Sequence, residues 1–218
     1  MIAGKTLTRL ALASTLVTAL GTQVAVADDD MYEVTITNLT RGQVITPPVV
    51  ISHKRGFALF TPTEAASDGL RVLAEDGDPS ALVAELESDR RVKQIGVGDG
   101  VIPPGHSMTI ALTMEDHMRI SAVAMLASTN DGFAAVRSMH LKSHHPSYMM
   151  AWDAGTENNS ENCAYIPGPP CGNPHQRDTD GAEGFVTMHN GIHGIGDLDA
   201  ATRDWRGPVA MISVRKMR

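Results

Sequence analysis

RISAVAMLASTNDGFAAVRSMHLKSHHPSYMMAWDAGTE, residues 119–157, holds three apolar runs separated by two turns, and its reading decides the fold. Arg119 to Ser128, dense in Ile, Val, Ala and Met, reads as a buried strand. Phe133–Leu141 and Ser147–Trp152 read as two more. STND at Ser128–Asp131 and the Lys142–Pro146 segment supply the turns between them. If the first strand rises to Asn130 and Asp131, the second descends and the third climbs back. That path returns Asp153 to the end of the sheet where Asp131 sits.

The flanking sequence has the same character. Tyr32–Thr37 alternates β-formers at every other place, and a short apolar run, Val49–Ile51, follows Pro47-Pro48. From Lys93 the β pattern resumes with Ile95 and Val97. Ser107–Met114 alternates behind the Pro103-Pro104-Gly105 turn, and Glu115–His117 makes the next turn. Gly184–His189 and Pro208–Arg215 are further predicted strands. Two short helices interrupt the series. Thr63 can cap one running through TEAASDGLRVLAEDG, with Ala66, Leu70, Leu73 and Ala74 at helical spacing and Gly77 as its stop. Asp78 caps the second, with Pro79 at its first position and Leu82, Val83 and Leu86 as an apolar stripe. Both are expected to pack at one edge of a sheet. Many short strands with Gly/Pro turns predict a mainly β chain, an antiparallel β-sandwich or barrel. Asn158–Gly184 is a long loop with little periodicity, of the kind that is functional or mobile.

Composition narrows the function. The formal charge is -7, with aromatics at only 4%, so Val, Ile, Leu, Ala and Met must build the core. An acidic chain is a poor sequence-independent nucleic-acid binder, which needs clustered cations. It suits a protein that holds a hard cation with carboxylates. Residues 1–27 read as a signal peptide: Lys5 and Arg9, then the apolar LALASTLVTAL, then Ala25-Val26-Ala27 as a small-x-small cleavage site. Thr15, Thr18, Thr22 and Gln23 weaken the case for an uncleaved membrane anchor. Residues 28–218 then form one domain with no further membrane-spanning segment. Cys163 and Cys171 are the only cysteines, and in an oxidising compartment they are expected to pair across AYIPGPP. A thiolate metal site is the alternative, with His175 as its nearby partner.

The strand path brings Asp131 and Asp153 to one end, where two acidic loops can share a cation such as calcium, with loop carbonyls completing about 6–8 oxygens. Glu157, on the same loop as Asp153, can add another. The competing reading is that both Asp residues cap turns, as Asp does routinely. Among the histidines, His189 and His193 are spaced i, i+4, but Asn190-Gly191 between them reads as a turn. His140, His144 and His145 form a second group. A catalytic zinc site needs about three converging ligands and an open position, and no HExxH is present. No GxSxG motif or Gly-rich phosphate loop opening a helix is found either. A metal-dependent hydrolase using His and Asp residues is therefore the alternative to a binding module without catalytic residues.

NLT (38–40), TPPVV (46–50), His53, LAEDGDPS (73–80), PPG (103–105), STNDGF (128–133), WDAGTENN (152–159), GFVTMHNGIHG (184–194) and DWRGPVAMISVRK (204–216) occur in that order. Together they resemble the bacterial branch of the spondin N-terminal domain family, with DAGTE and the TND-F motif the most specific parts. The resemblance implies a sandwich similar to the calcium- and phospholipid-binding sandwich domains, with bound calcium. Carried over by position, it makes Asp131 and Asp153 calcium ligands, with Glu157 beside them. Animal members are extracellular matrix proteins, which implies a secreted or periplasmic module for recognition or adhesion. Its partner would be an extracellular protein or a glycan, not nucleic acid. Calcium-dependent lipid binding is a weaker alternative, since the acidic loops lack a ring of Lys and aromatic residues.

Overall fold

The computed structural model describes Met1, residues 30–141 and residues 145–217. Apart from Met1, the residues of the signal-peptide reading (1–27) lie outside the described residues, as does His144.

β1 (Asp30–Asn38) buries Tyr32, Val34 and Ile36 on one face and leaves Glu33, Thr35 and Thr37 partly exposed on the other. That is the period-two signature of a sheet with one wet face. β2 (Val49–His53) is buried at every position, which marks a strand covered on both sides. The helices α1 (Asp68–Asp76) and α2 (Ser80–Ser88) follow, then β3 (Val92–Val97), β4 (Ser107–Met114), β5 (Arg119–Met125), β6 (Gly132–His140) and β7 (Ser147–Asp153). After a 3-10 turn at Cys163–Tyr165 come β8 (Thr187–Met188), α3 (Ala200–Arg203) and β9 (Ala210–Lys216). All pairings among the described strands are antiparallel, in the order β3-β2-β5-β6-β7-β9-β1-β4, with β8 beside β7.

β7 is the corner of this sandwich. Its first half pairs with β9 through Ser147–Met149, and its second half pairs with β6 and β8. At the opposite seam the edge strands β3 and β4 face each other. There a Cβ on Gly96 would lie 2.6 Å from the Ile110 side chain, so only glycine lets β3 come this close. The two sheets enclose one core containing Val34, Ile36, Val50, Ala122, Ala134 and Ile212. A second core lies on the outer face of β2, β5 and β6, where Val49, Ile51, Val123 and Phe133 meet Leu70, Leu73, Leu82 and Leu86 of the helices. α2 touches edge strand β3, whereas α1 reaches inward over β5 and β6.

α1 begins four residues later than the Thr63 cap predicts. Ser67 is the cap, its hydroxyl accepting from Leu70 N–H at 3.2 Å. Thr63 sits at φ 70, and the Thr63–Glu64 backbone exchanges hydrogen bonds with Val186. The predicted Gly184–His189 strand is only two residues long, Thr187–Met188.

Candidate metal centre

The Leu126–Gly132 hairpin delivers Asp131. Leu126 N–H donates to the Gly132 carbonyl at 2.8 Å, and Thr129 Oγ1 accepts the Gly132 N–H at 2.9 Å while donating to the Leu126 carbonyl. Gly132 pairs with Asp153 across the β6–β7 ladder, and Ala154 N–H donates to the Asp131 carbonyl at 3.2 Å. The strand path inferred from residues 119–157 therefore sets Asp131 and Asp153 side by side in the ladder. Glu115 and Asp116, in the β4–β5 turn, stand at the other end, where Asp116 meets Tyr32 and Lys216.

Asp131 and Glu157 are fully buried, and Asp153 is 4% exposed. Asp131 Oδ2 accepts the N–H groups of Thr156 at 2.7 Å and Glu157 at 3.0 Å, drawing the DAGTE loop over itself. Asp153 accepts from Gly155 N–H and from the Asn159 amide. Glu157 Oε1 accepts from Asp178 N–H at 2.9 Å. Asp131 Oδ1 and Glu157 Oε2 have no hydrogen-bond partner. Turn capping accounts for part of each Asp, but not for those two buried oxygens.

Burial pushes the Asp131 carboxyl well above the ordinary range, and the neighbouring Asp153 charge pushes it the same way. Burial also raises Asp153, with the Glu183 charge adding to it. Glu157 is pushed up to about 8, first by burial and then by the charges of Glu75 and Asp131, despite the Asp178 N–H and the Arg177 charge. Each of these three carboxylates is thus buried in low-dielectric surroundings that penalise its charge. Their donors are hard oxygens, which suit calcium more than zinc. Among the described residues no three His, Cys, Asp or Glu side chains are placed to hold one ion together. A cation here would need backbone carbonyls, amide oxygens or water as well.

Two glycines keep the loops close. Gly155 has φ 67, and a Cβ there would lie 2.2 Å from the Phe185 carbonyl oxygen. At Gly132 a Cβ would lie 2.8 Å from the His189 ring.

Cys163 and Cys171 form a disulfide, so no thiolate pair is left for a metal. His175 instead pairs with Asp76 of α1. His189 lies past β8, not on a helix: its Nδ1 accepts the Gly191 N–H at 3.0 Å, and its ring packs on Trp205. His140 ends β6, away from the acid loops. Sequence reasoning missed Glu161, whose carboxylate gathers the N–H groups of His193, Gly194 and Ile195 at 2.5, 2.7 and 3.0 Å. The glycines of HNGIHGIG signal such a nest of amides, but nothing local says which acid fills it. Glu75 was missed too. It is buried on α1, bonded to Arg71 and, from the long loop, to Arg177.

No curated protein matches the chain. The Spondin_N family model matches residues 43–171, more than half of the 218. Its match includes both acid loops and ends at the second cysteine of the disulfide. With the antiparallel β fold, that match means that the chain belongs to the spondin N-terminal domain family.

Proposed function

We propose that this chain is an exported calcium-binding β-sandwich module for extracellular or cell-surface recognition, acting in adhesion in the secreted or periplasmic space. One observation carries the cation: Asp131 Oδ1 and Glu157 Oε2 are buried in an acidic cluster without a donor. Leaving such groups unpaired is costly, and a hard divalent ion offsets both the missing partners and the mutual repulsion. In this reading Asp131 and Asp153 hold the ion, Glu157 supports it, and the ion orders the DAGTE loop instead of performing chemistry. Membership of the family and the disulfide suit an exported protein. Among the described residues no helix is long and apolar enough to cross a membrane. The partner in this reading is an extracellular protein or glycan.

The test is thermal unfolding with calcium and with chelator. Calcium at about 100 times its Kd is expected to stabilise by about 2.7 kcal/mol, or roughly 5–10 °C for a chain of this size. Asp131→Asn and Asp153→Asn should each abolish that increment. Identical melting curves with and without calcium would overturn the proposal. Stoichiometric zinc in the purified protein would favour a hydrolase instead.

A further inference from the structure

Beside the acid cluster lies a cavity of about 160 Å³, walled by Thr129 and Asn130 of the hairpin, Asn159, and the His189–Ile195 segment. Two of its lining side chains carry buried nitrogens without a partner: Asn130 Nδ2 and His189 Nε2. Asn130 is 2% exposed, and its Oδ1 is already taken by Glu161 N–H, which fixes the amide with its NH2 group unpaired. His189 Nδ1 accepts from Gly191, so the proton of the neutral ring sits on Nε2. Both are hydrogen-bond donors waiting for an acceptor, and a buried donor left unmet is costly.

The acceptor should be neutral. Glu183 lines the cavity and Asn159 bonds Asp153 just behind it, so an anion would be repelled. Glu161 offers no free positive nest, since its own carboxylate takes the three amides of residues 193–195. Ile192 and Ile195 add an apolar wall. A carbonyl oxygen beside a methyl group meets both demands. Next to the cavity, and sharing His189, Asn190 and Gly191 with it, runs a groove of about 240 Å³ bordered by the half-buried Trp205 ring. An indole accommodates the apolar CH face of a pyranose, while the cavity has room for a functional group and not for a chain.

We propose that this cavity binds the acetamido group of an N-acetylated amino sugar, with Asn130 and His189 donating to its carbonyl, Ile192 and Ile195 against its methyl, and Trp205 beside the ring. The site gives the recognition reading a ligand class but does not depend on calcium.

Titration of the full chain with N-acetylglucosamine, glucosamine and glucose, followed by saturation-transfer NMR, tests it in calcium and in chelator. N-acetylglucosamine should bind saturably, with its acetyl methyl receiving the strongest transfer. The two sugars without the acetyl group should bind at least about tenfold more weakly, because they leave the donors unpaired. Ile195 is 71% exposed at the rim, so Ile195→Arg should block binding without changing the melting temperature. His189→Gln should weaken it further than it lowers stability. Equal binding of N-acetylglucosamine and glucose, or undiminished binding by Ile195→Arg, would overturn the site. A protein without a calcium increment but with acetyl-dependent binding would sink the cation reading alone.

Discussion

Glu157 shows how burial turns one carboxylate into a sensor of its surroundings. Its acid form is favoured in the fold up to about pH 8, against an ordinary glutamate value of 4.5. The folded state therefore holds a proton that the unfolded chain releases, and this contribution is complete below about 4.5. It is lost as pH rises through 8. In chelator, wild type is expected to melt at a lower temperature at pH 8.5 than at pH 5.5, and Glu157→Gln to flatten that slope. In calcium the loss should be repaired, because the ion replaces the proton. His189 has the opposite sign. Burial, and then the neighbouring His193, lower its pKa to about 4, so its contribution is present above 6.5 and fades as pH falls towards 4. Melting curves of His189→Gln between pH 7 and pH 4 should fall less steeply than those of wild type.

Among the elements, the DAGTE loop is held by contacts that no run of neighbouring residues displays. Gly155→Ala forces a side chain against the Phe185 backbone at a positive φ. It is expected to cost more than 1 kcal/mol and to reduce the calcium increment with it, as read by parallel melts. The disulfide closes a short loop, so the Cys163→Ala/Cys171→Ala pair should cost on the order of 2–3 kcal/mol by chain entropy. Its calcium increment should stay intact. The legible parts of the fold follow a simple rule. Ser107–Met114 was predicted to the residue because alternation declares a half-wet strand. That Asp131 and Asp153 meet at one end of the sheet was legible because three adjacent strands leave only one way to count the ends. Thr63 misled because its backbone serves Val186, more than a hundred residues away, and Glu161 was invisible because its partners are amides supplied by another loop. Local pattern carries local structure; partners distant in sequence leave no trace in it.

At the scale of the molecule, two cores share the strands β2, β5 and β6, so neither can be lost alone. Phe133 is fully buried in the outer core, and its ring meets Phe60 edge-on at 5.2 Å. Phe133→Ala is expected to cost about 3–5 kcal/mol. Urea denaturation should still show one transition with an unchanged slope, and a second transition would mean that the helical layer melts independently. The pairing of β1 with β9 has a mechanical consequence. These first and last strands run antiparallel, with Tyr32 opposite Lys216 at one end and Asn38 opposite Ala210 at the other. Tension applied between Asp30 and Met217 falls on the rung nearest both attachment points and opens the pair like a zipper, one hydrogen bond at a time. Under load the sandwich should therefore yield at low force from that rung, long before the loops at its far end feel any pull.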